Sequence, residues 1–423
     1  MLKSYEQFLV EKLQILQESN LILEGGAAGH MPHPFDYNDL TFADFRTIVT
    51  GALKGELNFE EVAVEKTDGQ NFFATVKDGR ALFSRNKGQL IAPLDLQGIV
   101  DAFADHAVEK VRQIFTLAAQ DLDAALPKIK NSNEVFNNGT SFINMELIWT
   151  QNPNVINYDR DVIQFHNMNH TDGKGNITSV DNKPAKELVG ILKKVGANQQ
   201  KTFNIIPPQV IKLMRNVDFE KRQQYYFNKI DKLRDAFGLD DSEEVKMYHE
   251  AWWRNQVEEN FGDLTADLKE GLFLRWAYND KQTLNMVAIK KMSEPEQLKK
   301  IKEFDKIRQK KYKENILPFE NLFLELGADV LMNASNFVAA NPEKEMKILH
   351  DKIRKAAQDV KLNGNLAQVA KIESELKRLE SIGGIESIVP TEGIVFKYRG
   401  KIMKLTGTFA AINQLMGIIK YGR

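Results

Sequence analysis

The stretch EKTDGQN, residues 65–71, follows the apolar-leaning run FEEVAV and sets Lys66 two positions ahead of Asp68-Gly69. A solvated surface lysine needs no such setting; a lysine that attacks an electrophile does. Other charges also sit in otherwise apolar segments. Arg85 and Lys87 lie in SRNKG, Glu146 inside FINMELIW, Glu392 at the start of EGIVFKY, and Lys404 within KIMKLTG. Charge on a half-buried sheet face is costly unless it is paired or used. This mixture suits a triphosphate with a divalent metal, cations taking phosphate oxygens and carboxylates the metal and sugar. A lysine amine attacks phosphorus only when neutral, so its pKa must fall from about 10.4 through desolvation or nearby cations. The expected outcome is a nucleotidylated Lys66 and released pyrophosphate.

The elements that must position these groups follow from periodicity. Apolar residues recur at helical spacing over 2–19, and EGGAAGHMPHPFD then breaks the pattern. Thr41 and Asp44 cap a helix from Phe42 to about Lys54. From Leu57 the period shortens. FEEVAVE, NFFATVKDG, RALFSRN, SFINMELIW and DVIQFHN read as strands, with a hairpin at Asp78-Gly79. One long helix, about Gln97 to Ala125, interrupts them. From about Pro184 to Leu379 almost everything reads as helix. Strands return in IESIVP, EGIVFKY and KIMKLTG, with a turn at Arg399-Gly400, and FAAINQLMGIIKY reads as a closing helix. A mixed sheet opened near residue 60 is therefore completed near residue 400.

Composition sets outer bounds. The 423 residues suit two or three domains, and a net charge of −1 excludes a uniformly polybasic chain, so an anionic partner must meet a local patch. There are no cysteines, which removes disulfides, thiolate metal sites and thiol catalysis. The N-terminus is amphipathic and charged, neither signal peptide nor membrane span, so a cytoplasmic protein without membrane partners is expected.

Six segments in order resemble the covalent nucleotidyltransferases, and the ATP-dependent RNA ligases in particular. EKTDGQN resembles motif I, SRNKG motif Ia, INMELI motif III, EGIVFK motif IV and IMKLTGTF motif V. VIQF is similar to the segment whose aromatic stacks on adenine. GHMPHPFDYNDLTF also resembles phage-encoded ligase-like proteins, with His30 and His33 as candidate phosphate contacts. The resemblance implies that Lys66 forms a lysyl-AMP phosphoramidate from ATP, passes AMP to a polynucleotide 5′-phosphate, and that a 3′-hydroxyl then displaces AMP. It places Glu65, Asp68, Asn71 and Lys87 at the nucleotide and Arg85 on ribose and phosphate. Glu146 falls on the ribose hydroxyls, Phe165 on the base, Lys404 on the α-phosphate, and Glu392 on Mg²⁺ or Mn²⁺. The sequence departs from the family at Met145, where glycine is usual before the glutamate, and at His166, where Asp often follows the aromatic. Thr406 replaces a second motif V lysine, for which Lys401 or Lys87 could substitute. No OB-like segment or motif VI follows motif V in this sequence, which favours RNA ligases over DNA ligases and capping enzymes.

Alternatives stand beside several of these readings. Asp68 could hold its own turn, Phe165 could be a core aromatic, and Trp252 and Trp253 read as helix core. The basic run 299–313 is either a solvated face or a phosphate-contacting stripe. VAIK at 287–290 lacks every other kinase motif. The fold expected is α+β: a nucleotidyltransferase core of mixed and antiparallel sheets, unrelated to ATP-grasp, with a large all-helical insertion. Its parts are an N-terminal helical segment (1–55), core (56–183), insertion (184–383) and core again (384–423). The function expected is ATP-dependent RNA ligation. DNA, or RNA joined to DNA, is the alternative acceptor, and a catalytically impaired nucleotide- or RNA-binding protein is the alternative class.

Overall fold

Thr41 N–H donates to Asp44 Oδ2 (2.9 Å) and Asp44 N–H to Thr41 Oγ1 (3.1 Å), the reciprocal cap that starts helix α1 (Phe42–Lys54). The computed structural model describes residues 31–279, 284–334, 347, 350–355, 358, 366–381, 392–407 and 415. The expected helix 2–19, His30, IESIVP and all but Leu415 of the closing helix lie outside them.

Along the described residues the chain forms α1, β1 (Val64–Lys66), β2 (Gln70–Lys77), β3 (Arg80–Ser84), α2 (Lys87–Ile91), α3 (Leu96–Phe103), α4 (Glu109–Ala125) and α5 (Ser132–Val135). Then come β4 (Ser141–Ile148), β5 (Val162–Thr171), β6 (Ile177–Asp181), α6 (Lys183–Lys194) and β7 (Asn204–Ile206). The helices α7 (Phe219–Asp235), α8 (Val245–Phe261), α9 (Ala266–Ala277), α10 (Met286–Met292), α11 (Pro295–Met332) and α12 (Leu366–Ser381) precede β8 (Gly393–Tyr398) and β9 (Lys401–Thr406). The protein thus mixes helices with largely antiparallel sheets. No described helix is long and apolar enough to cross a membrane.

The larger sheet runs β3-β2-β4-β5-β6 with antiparallel neighbours, and β7 joins β5 in parallel. Asp78 and Gly79 both take positive φ (51° and 73°), the geometry that lets a two-residue turn follow the strand twist. One face carries Phe72, Ala74, Ile143, Met145, Ile163 and Phe165, packed against Phe115 and Leu122 of α4 and Leu188 of α6. The smaller sheet, β1-β8-β9, pairs strands from opposite ends of the sequence. Its β8–β9 turn again uses positive φ, at Arg399 and Gly400.

The chain packs as two compact units. One holds 32–51 with 218–323 and is helical; the other holds 52–217 with the described residues from 324 onward and contains both sheets. The helical unit is therefore narrower than the 184–383 expected. Residues 184–217 stay with the sheets because β7 pairs with β5 and the Gln209 carbonyl accepts from Glu65 N–H (2.8 Å). The single helix expected over 97–125 is also two. Arg112 Nη1 bonds the carbonyls of Ala104 and His106, satisfying the backbone at the break.

Trp253, Phe261, Trp276 and Phe304 fill the core of the helical unit. Trp252 and Trp253 contact each other there edge to face, and Trp253 is buried, as the core reading expected. Arg275 makes a two-pronged pair with Asp305, which also accepts from Trp276 Nε1 at 2.7 Å. His249 is buried against Asn315, and burial pushes its imidazole down to about 4. A folded-state value below the unfolded one, about 6.5, means this stabilisation is complete above that value and is lost as pH falls toward 4. The expected cost is on the order of 3 kcal/mol, and denaturant titrations of wild type and His249→Gln at pH 7.5 and 4.5 should show the smaller acid loss in the variant.

Candidate functional site

Lys66 is the last residue of β1, a strand three residues long. The ladders set Lys66 opposite Gly393 and Gly393 opposite Thr406, with Val64, Val395 and Lys404 in the row two residues along. Because side chains alternate across a strand, Lys66, Lys404 and Thr406 share one face. A Cβ on Gly393 would lie 2.4 Å from the Leu405 carbonyl oxygen, so this row closes only around glycine. Lys66 Nζ donates to Glu392 Oε1 at 2.5 Å.

The turn after Lys66 is held from one side by the 149–161 loop. Asp68 is buried. Its Oδ2 accepts from the N–H groups of Val155 and Ile156 (2.6 Å each) and its Oδ1 from Asn154 Nδ2 (2.7 Å). Asp68 N–H in turn donates to Tyr158 Oη (2.8 Å). A Cβ on Gly69 would sit 2.5 Å from the Leu147 carbonyl oxygen and 2.8 Å from Glu146 Cγ, so the turn packs directly on β4. This places Glu146 beside the lysine.

On the larger sheet Asn71, Glu146 and Gln164 form one row across β2, β4 and β5. Asn71 Nδ2 donates to Asn144 Oδ1 (2.7 Å). His166 is the extra residue of a β-bulge in β5, between partners Phe165 and Asn167. The bulge brings its Nε2 to 3.7 Å from Glu146 Oε2 and 3.4 Å from Thr67 Oγ1.

Burial alone would lower the pKa of Lys66. The carboxylates of Glu392 and Glu146, the Glu392 hydrogen bond and Asp68 outweigh it and hold the amine above the ordinary lysine range. The lowering expected from the sequence is thus reversed, and Lys66 is an ammonium paired to Glu392. Asp68 is pushed up to about 7 by burial and by Glu392, against the pull of its backbone donors and Lys66.

Several expected contacts fall elsewhere. Phe165 is fully buried on the opposite face of the sheet, in the α4-side core, because its ladder partner is Met145 and not Glu146. It is a core aromatic. Asp68 spends both oxygens on the 154–156 backbone and Asn154, so it anchors a loop. Lys87 reaches Asn176 Oδ1 (2.7 Å) at the turn before β6. Arg85 lies over the Phe115 ring (4.7 Å to its centroid) and donates to the Asn71 carbonyl (2.5 Å), next to the lysine turn but tied to the helix side. Glu65 is buried, its position alternating with that of Lys66. Lys401 alternates with Lys404 in β9 and so lies on the other face of the ladder, while Thr406 is buried with an unpartnered Oγ1. His33 belongs to the helical unit, where its ring stacks on Phe35 at 5.1 Å. Tyr158, Asn154 and Gln164 were not singled out from the sequence. For Gln164 the signal existed, since it is an amide set among Val162, Ile163 and Phe165 at the apolar start of its strand, as Glu146 is a lone carboxylate in β4.

Mg²⁺ or Mn²⁺ that keeps most of its waters asks a protein for one or two carboxylates beside phosphate oxygens. Glu392, which meets Lys66 Nζ directly, is a carboxylate of the kind that donor set requires. Among the described residues no three His, Asp or Glu groups form a complete protein cage. Comparison with known protein families, curated proteins and solved structures finds no match for this chain.

Asp68→Ala strands two buried N–H groups, each costing about 1–3 kcal/mol. The variant should lose on the order of 3 kcal/mol of stability at pH 8 and show faster amide exchange over 154–156, measured by denaturant titration and hydrogen exchange.

Proposed function

We propose that this protein is an ATP-dependent polynucleotide ligase of nucleotidyltransferase type, with RNA as the preferred acceptor and Lys66 as the nucleophile. The observation that supports the reading is the 2.5 Å Lys66–Glu392 contact, made across 326 positions of sequence and within the two segments that resemble motifs I and IV. Glu146 and Lys404, from the segments resembling motifs III and V, occupy the same neighbourhood by ladder register and charge coupling.

Lys66 must first give up a proton, and Glu392 Oε1 is its hydrogen-bond acceptor. The neutral Nζ then attacks the α-phosphorus of ATP. A P–N bond forms, the bond from that phosphorus to its bridging oxygen breaks, and pyrophosphate leaves. An oxygen of a polynucleotide 5′-phosphate next attacks the lysyl-bound phosphorus, the P–N bond breaks, and Nζ takes up a proton. Finally a 3′-hydroxyl, losing its proton, attacks the 5′-phosphorus and AMP departs. Lys404 neutralises charge on the α-phosphate, and Glu146 holds the ribose hydroxyls. Glu392 would hold Mg²⁺, which would supply charge neutralisation at the phosphates. In the helical unit, exposed Lys299, Lys302, Lys306, Lys310 and Lys313 on α11 offer sequence-independent phosphate contacts.

A second reading, a nucleotide-binding protein without transfer chemistry, is favoured by the raised pKa of Lys66 and by Thr406 in place of a second lysine. Incubation with α-³²P-ATP and Mg²⁺ separates the two. The ligase takes up acid-labile label that Lys66→Ala abolishes; a protein that binds ATP and stays unlabelled has the second function. Nicked duplexes against single-stranded RNA then test the acceptor.

Because the folded state holds Lys66 charged, the labelling rate should rise with pH through the neutral and alkaline range. Glu146→Gln removes one carboxylate that keeps the amine protonated, and should move that rise to lower pH. A rate profile that does not move in this variant contradicts the assignment.

A further inference from the structure

We infer that Gln164 reads the nucleotide base, its side-chain amide selecting adenine by pairing with the 6-amino group and the adjacent ring nitrogen. This rests on the nucleotide-binding reading of Lys66. Gln164 is fully buried, and both its Oε1 and its Nε2 lack a hydrogen-bond partner. Buried amides are nearly always bonded, so a side chain with both ends open is set aside for something the protein does not supply.

Its position says what that is. The β4–β5 ladder puts Gln164 directly opposite Glu146, on the same face and one strand spacing, about 5 Å, farther across the sheet. Glu146 is coupled to Lys66. Lysine, carboxylate and amide therefore follow one another in the order phosphate, ribose and base of a mononucleotide. Asn71 Nδ2 is spent on Asn144 Oδ1 and Asn154 on Asp68, and Asn167, opposite Asn144, leaves only its Oδ1 unpartnered, so among the described residues of this neighbourhood Gln164 is the amide with both ends open. Phe165, the residue the sequence offered for the base, lies in the core on the opposite face. A carboxamide presents one donor and one acceptor side by side, which matches the donor and acceptor on an adenine edge.

The complementary change is chemically specific. A carboxylate accepts only, so Gln164→Glu suits the two adjacent donors of guanine, N1–H and the 2-amino group. Gln164→Leu keeps the approximate volume and removes both polar atoms.

The test is equilibrium binding of ATP and GTP to the full chain by calorimetry with Mg²⁺, alongside acid-labile labelling of Lys66. Wild type is expected to prefer ATP. Gln164→Leu should lose that preference by on the order of ten- to a hundredfold, and Gln164→Glu should turn it toward GTP. Where a variant fails to fold, wild type is titrated with purine riboside triphosphate, which lacks the 6-amino group, and should bind it at least tenfold more weakly than ATP. If wild type binds ATP and labels Lys66 while folded variants keep the ATP-to-GTP ratio, or while the purine analogue binds as well as ATP, Gln164 is not the base reader and the ligase reading stands. If wild type binds neither nucleotide, both fall together.

Discussion

The pairing of Lys66 with Glu392 is a constraint on two scales. Locally it is a short, charge-assisted hydrogen bond between groups that are each mostly withdrawn from water. Globally it is where β1 and β8 meet, so the register of the small sheet and the charge state of the amine are one fact. A one-residue slip of β1 would turn Lys66 to the opposite side and bring Glu65 into its place. Gly393 guards against any looser arrangement, since the row containing Lys66 and Thr406 has no room there for a side chain.

The same cluster shows how an electrostatic demand and a structural one share a few residues. Three carboxylates crowd one lysine, and each has a distinct task. Asp68 is turned away into a nest of backbone donors and fixes the 149–161 loop. Glu392 meets the amine directly. Glu146 acts on it across space while touching His166. The net effect is a lysine held charged. A cation that draws Glu392 away removes the largest charge raising the pKa and leaves burial to lower it.

Much of this was legible in residue patterns and some was not. The Asp78-Gly79 and Arg399-Gly400 turns were visible because positive φ selects few residues. Strands β2, β4, β8 and β9 were visible because their apolar alternation is strong, and Glu146 and Lys404 stood out against it. β7 was missed because three residues beside two prolines carry no period. The break between α3 and α4 was missed because no glycine or proline marks it, and Arg112 makes it from eight residues away. Phe165 was misplaced because alternation cannot say which face is core until the ladder partner is known. Asp68 was ambiguous for a different reason: the loop that claims it begins more than eighty residues later, and no local spacing reveals that.

The distance in sequence between β1 and its partner also bears on how the chain is made. On the ribosome, Lys66 and the edge of β1 emerge long before Glu392, while the larger sheet can assemble from β2 to β7 without waiting. Until β8 arrives, the β1 edge is unpaired on that side and the lysine lacks its main counter-charge. An incomplete chain therefore carries Lys66 without its ion-pair partner, and the small sheet closes only once β8 has been made.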